Sequence, residues 1–117
     1  PKAIGPYSQA IKAGAWVFVS GQIPLDCEGK PIAGDVGAQT ERCLLSIKAI
    51  LEVAGLALGD VVKTTVFMTD LSQFAAMNEG YGRHFSAPYP ARATVQVVAL
   101  PKGAQVEIEA IACAPQP

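Results

Sequence analysis

The stretch Pro90 to Ala112, PARATVQVVALPKGAQVEIEAIA, holds two strands and one turn. From Arg92 to Val98 the residues alternate, with Ala93, Val95 and Val97 on one face of the pleat and Arg92, Thr94 and Gln96 on the other. After the turn Leu100-Pro101-Lys102-Gly103, Val106, Ile108 and Ala110 share a face, and Glu107 and Glu109 share the opposite one. One sheet therefore carries a cation and two carboxylates. The commonest origin of such a pattern is an ion pair on a solvated sheet face. Here the charges stand in the most apolar part of a chain that is only 16% charged, where an ion is costly unless it is paired and hydrogen-bonded. That setting suits a site for a small anion.

Upstream, Val61 to Met68 has apolar residues on both faces and is expected as an interior strand. Asp70 or Ser72 opens a helix on which Phe74, Asn78, Tyr81 and Phe85 form one stripe. A buried amide needs partners, so Asn78 either braces a loop backbone or lines a cavity. Gly80 and Gly82 weaken this helix by roughly 1 kcal/mol each relative to alanine, so something must pack close there or move. His84, off the stripe, reads as a surface or boundary histidine. A longer helix runs from a cap at Asp35 to about Ala54, with Cys43, Leu44, Ile47, Ile50 and Leu51 as its core stripe and Gly55 as its end. Near the start, Tyr7 to Lys12 and Trp16 to Ser20 form a hairpin about Ala13-Gly14. The segment Gly21 to Gly34 is loop. The order hairpin, helix, strand, helix, strand, strand predicts one α+β domain over residues 1–117, a β-sheet with two helices on one face. Periodicity leaves the strand order open.

Composition excludes several classes. A net charge of −1 gives no footprint for nucleic acid or an anionic membrane. No apolar run reaches the roughly 18 residues of a membrane span, and no leader stands at the start, so a soluble, unexported protein is expected. Cys27, Cys43 and Cys113 lack close spacing, which fits reduced thiols in the cytoplasm better than a disulfide framework or a thiolate zinc site. With His84 as the one histidine, no metal site is expected.

Ala-Ile-Gly-Pro-Tyr-Ser-Gln (3–9), Val-Ser-Gly-Gln-Ile-Pro (19–24), Val-Lys-Thr-Thr-Val-Phe (62–67), Pro-Ala-Arg (90–92) and Val-Glu-Ile-Glu-Ala-Ile-Ala (106–112) resemble the Rid family, also called YjgF. Most similar is its RidA branch, the 2-iminobutanoate/2-iminopropanoate deaminases, and the likeness spans nearly the whole chain. The resemblance implies a chorismate-mutase-like fold with a mixed sheet, assembled as a homotrimer with active sites in the clefts between subunits. It also implies that the last strand crosses to lie between the first long strand and the middle one.

By the same resemblance, Arg92 is the substrate-binding arginine and Glu107 the catalytic glutamate. Tyr7, Ser20 and Asn78 match residues that line the cleft, and Gly21 matches the glycine after the serine. Thr94 stands where many relatives carry cysteine, which leaves a thiol-based role there without support. Glu109 is read as structural. The implied substrates are 2-imino acids and their enamines, released by pyridoxal-phosphate dehydratases acting on serine or threonine, and hydrolysed without cofactor or metal to 2-keto acids and ammonia. Two other readings belong to this family or site: an endoribonuclease that inhibits translation, and a non-catalytic module that binds small carboxylates. The first has no basic groove to support it here. The second gains nothing from Glu107.

Overall fold

The structure, a computed structural model, describes residues 1–115. Helix α1 (Val36–Val53) begins where the sequence supplies a cap: the Asp35 carboxylate accepts a hydrogen bond from the Ala38 amide at 2.9 Å. It ends at Gly55, whose φ of 78° suits glycine. Its stripe of Cys43, Leu44, Ile47 and Leu51 is fully buried. Burial pushes the Cys43 thiol well above its ordinary range, so this cysteine is core material, not a nucleophile.

Five strands form the sheet: β1 (Ala10–Ala13), β2 (Trp16–Gln22), β3 (Val61–Met68), β4 (Ala91–Gln96) and β5 (Val106–Cys113). Their spatial order is β1-β2-β5-β3-β4, antiparallel throughout except for the parallel pair β3-β4. The last strand thus lies between β2 and β3, and Pro101–Gly103 forms one 3₁₀ turn instead of a hairpin loop. Helix α2 (Phe74–Gly82) follows a 3₁₀ turn over Leu71–Gln73, which Asp70 opens by accepting from the Ser72 amide. Both helices cover one face of the sheet, and among the described residues no helix is long and apolar enough to cross a membrane.

Several boundaries differ from simple alternation. The first strand starts at Ala10, after bends at Gly5–Tyr7, and the second continues past Ser20 to Gln22. It does so through a β-bulge between Val19 and Gln22, which inserts a residue and re-aims Ser20 and Gly21. A second irregularity, between Val61 and Lys63, turns Val62 outward while Val61 and Thr64 both face the core. On β4, which ends at Gln96, the polar set faces the helices and Ala93 and Val95 face out. Parallel pairing causes this, since it sets Arg92 beside Thr64 and Thr94 beside Val66, both buried.

The glycines of α2 have different explanations. A Cβ on Gly80 would lie 2.7 Å from the Gly37 carbonyl oxygen, so this glycine lets α2 cross α1 closely. Nothing lies within 4 Å of a Cβ built on Gly82. Gly80→Ala is expected to destabilise the fold by roughly 1–3 kcal/mol through overpacking against backbone. Gly82→Ala should be neutral or stabilising by up to about 1 kcal/mol. Thermal midpoints of the two variants check the contrast.

Candidate active site divided between two sheet faces

Arg92 and Glu107 stand on opposite faces of the sheet. Arg92 is paired with Thr64 and Glu107 with Phe67. Thr64 and Phe67 are three residues apart on β3, so their side chains leave the pleat on opposite sides. Thr64 is 1% exposed beneath α2, whereas Glu107 lies between the fully buried Val106 and Ile108 and points the other way. The ion pair expected of a solvated sheet face is not made: among the described residues neither Arg92, Glu107 nor Glu109 takes part in a salt bridge.

On the helix side, the half-buried Arg92 guanidinium lies over the rings of Tyr81, at 4.8 Å from the centroid, and Phe74, at 5.6 Å. Its Nη1 is 4.0 Å from the Met77 sulfur. Asn78 is on the same face of α2, half-buried, and no hydrogen bond of its side chain is formed among the described residues, so it does not brace a loop. Thr94 follows Arg92 on this face, and its hydroxyl oxygen is buried without a hydrogen-bond partner.

Glu107 has a different company. The bulge brings Gly21 against it, and a Cβ on Gly21 would overlap the Glu107 carboxylate. Ser20 donates from its hydroxyl to the Ser8 carbonyl at 2.6 Å, and its amide donates to the Gln9 carbonyl at 2.9 Å. These bonds tie the segment that carries the exposed Tyr7 to the bulge. The Tyr7 hydroxyl accepts from the Ile4 amide at 3.1 Å. Burial, and then the negative charge of Glu109, raise the Glu107 carboxyl above its ordinary value.

The residues expected to share a site therefore fall into two groups, Arg92, Asn78 and Thr94 on one side and Tyr7, Ser20, Gly21 and Glu107 on the other. The roles of Phe74, Met77 and Tyr81 were not foreseen. The spacing of Phe74 and Tyr81 on α2 reads as an apolar stripe, Met77 stands outside that reading, and only the three-dimensional register of β4 shows that an arginine lies against all of them. A cleft of about 450 Å³ between β1, β2 and the end of α1 is lined by Gln9, Lys12, Val17, Ile50 and Val53, and none of the expected site residues lines it. His84 is a boundary residue, its Nε2 3.0 Å from Glu41, and the same carboxylate takes a bond from Arg83. Together these hold the end of α2 to α1.

The profile of the endoribonuclease L-PSP family matches residues 1–114. A 2-iminobutanoate/2-iminopropanoate deaminase of Salmonella typhimurium is 50% identical over 115 residues, covering 96% of this chain and 90% of its own. A RutC family protein of Pyrococcus abyssi is 56% identical over 113 residues, covering 96% of this chain and 89% of its own. The crystal structure of RidA from an Antarctic Psychrobacter superposes with a TM-score of 0.93 at 53% identity, covering 97% of this chain and 92% of that one. This chain belongs to the endoribonuclease L-PSP family, known also as the Rid or YjgF family. Names within it differ, so the particular reaction rests on the chemistry of the site.

Proposed function

We propose that the protein hydrolyses reactive 2-imino acids, 2-iminobutanoate and 2-iminopropanoate, and their enamine tautomers to 2-keto acids and ammonia. It does so as a homotrimer of single-domain subunits whose sites lie between neighbours. The observation that carries this reading is a half-buried guanidinium with no carboxylate partner among the described residues, held only by uncharged groups. Such a cation awaits an anion, and its planar fork fits a carboxylate through two parallel hydrogen bonds.

Opposite-face placement of Arg92 and Glu107 supports a shared site, because one subunit alone cannot present both groups to one small molecule. So does the outer sheet face, where Ile11, Trp16 and Phe18 are 56%, 46% and 46% exposed. An apolar surface of this kind marks an interaction site, and a second copy of the chain is its occupant. In the assembled cleft, Arg92 binds the substrate carboxylate beside Asn78 and Thr94. Glu107 takes a proton from water as the oxygen adds to the carbon of the protonated imine, giving a neutral carbinolamine. Glu107 returns that proton to the nitrogen, the carbon–nitrogen bond breaks, and ammonia leaves as the hydroxyl proton passes to Glu107 and the carbonyl forms. Tyr7, Ser20 and the Gly21 amide orient the water or the leaving nitrogen. The chemistry needs no cofactor, since the double bond is already activated. An exposed thiol at Cys27 fits a reducing cytoplasm. RNA cleavage finds little support in a chain of nine basic and ten acidic residues.

The test is keto-acid formation by a threonine or serine dehydratase in the presence of semicarbazide, with and without this protein. Faster keto-acid formation at the expense of the semicarbazone is expected; no acceleration by a folded trimer would overturn the reading. Gly21→Ala supplies a finer check. The added methyl displaces the Glu107 carboxylate without touching Arg92, so kcat should fall by about 10²-fold with the thermal midpoint little changed.

A further inference from the structure

We infer that Phe74 and Tyr81 are positioning residues that hold the Arg92 guanidinium by their ring faces, leaving its charge and the in-plane N–H groups not turned to the Met77 sulfur for a planar carboxylate ligand. The inference rests on the reading of Arg92 as the carboxylate anchor and deepens it. A buried arginine is ordinarily held by an acidic residue, which fixes its geometry but also occupies the fork a ligand needs. Here the carboxylates of α2, of its approach and of the α1 segment facing its end are engaged elsewhere. Asp70 accepts from the Ser72 amide, Glu79 from Arg83, and Glu41 from Arg83 with His84 beside it. What meets Arg92 instead is Tyr81, Phe74 and the Met77 sulfur. Ring faces attract a cation without neutralising it or using its N–H groups.

The Tyr81 ring is itself fixed. Its hydroxyl shares a hydrogen bond of 2.8 Å with the Thr64 hydroxyl, and its ring packs on Phe85 at 4.7 Å between centroids. Thr64 is the residue paired with Arg92 across β3 and β4, so strand and helix locate the ring and the guanidinium from both ends. Phe74 is different, being 41% exposed, and can be changed without opening the core.

The experiment uses the full chain with Phe74→Leu and Phe74→Trp, and three measurements: the Arg92 Nε–H resonance by NMR, the affinity for 2-oxobutanoate, and KM against kcat. In Phe74→Leu the Arg92 resonance should move by the Phe74 share of its ring-current shift, the Tyr81 share remaining. Affinity for 2-oxobutanoate should weaken about two- to fivefold and KM rise by the same factor, with kcat and the thermal midpoint little changed. Phe74→Trp should restore affinity, since indole attracts a cation best. An unmoved Arg92 resonance, or unchanged 2-oxobutanoate affinity, in Phe74→Leu overturns the inference. The functional reading fails separately: if Arg92→Ala binds 2-oxobutanoate as the wild type does, Arg92 is not the anchor, whatever the resonance reports about the rings.

Discussion

Replacing Arg92 with alanine is expected to lower kcat/KM for 2-iminobutanoate by roughly 10²–10⁴-fold, most of it as a rise in KM. The fork offers two charge-assisted hydrogen bonds, each worth roughly 1.5–3 kcal/mol, and both are lost. The fold should survive, because Arg92 is only half-buried on an edge strand and among the described residues forms no ion pair that would leave a stranded charge. Arg92→Lys separates charge from geometry: an ammonium keeps the attraction but cannot form two parallel bonds, so its activity should lie between the wild type and Arg92→Ala. Steady-state keto-acid formation, together with the thermal midpoint and the mass in solution, checks these outcomes. Wild-type activity in Arg92→Ala would remove the anchor from the mechanism.

Glu107→Gln should act on the other kinetic constant. Loss of the base is expected to lower kcat by roughly 10²–10⁴-fold, while 2-oxobutanoate still binds, because the amide keeps the shape but cannot take a proton. A module that merely binds carboxylates would show no such loss. The wild-type pH profile follows from the same residue. Burial and the Glu109 charge raise the Glu107 carboxyl, and the base works only when ionised, so the rate should fall with acid through a midpoint above the ordinary glutamate value of 4.5. For stability the sign is opposite to that of a salt-bridged acid. A raised carboxyl favours the folded state when protonated, and that contribution is full below its unfolded value and lost as pH rises through its folded value. Glu107→Gln should therefore match or exceed the wild-type thermal midpoint at neutral pH while losing turnover, as expected of a residue kept for chemistry.

Elements set by local chemistry were legible from the chain. The Asp35 cap, the apolar stripe of α1 and Gly55 specify that helix within a few residues of one another, and the two-sided apolar pattern of Val61 to Met68 marks an interior strand. Strand order was not legible from pattern, because insertion of β5 between β2 and β3 depends on pairing between distant segments; family resemblance supplied it. Alternation also gives two faces without saying which is covered. On β4 it separates Arg92 and Thr94 from Ala93 and Val95, yet the parallel register with β3 turns the polar pair inward. The bulge at Ser20–Gly21 breaks alternation altogether and brings glycine to the Glu107 carboxylate. Arg92 and Glu107 could be picked out singly as chemically apt residues. Their separation by the sheet, and the aromatic surroundings of Arg92, come from the three-dimensional register.

On the proposed site between subunits, the opposite orientation of Arg92 and Glu107 makes the two defects complementary. A chain lacking the arginine still carries a sound glutamate, and a chain lacking the glutamate still carries a sound arginine. Mixed in equal amounts, unfolded together and reassembled at random, two inactive proteins should regain about a quarter of the wild-type sites, each drawing one good half from each parent. Co-expressed in one cell, the two damaged alleles would then behave as a partly functional gene, although neither encodes an active enzyme.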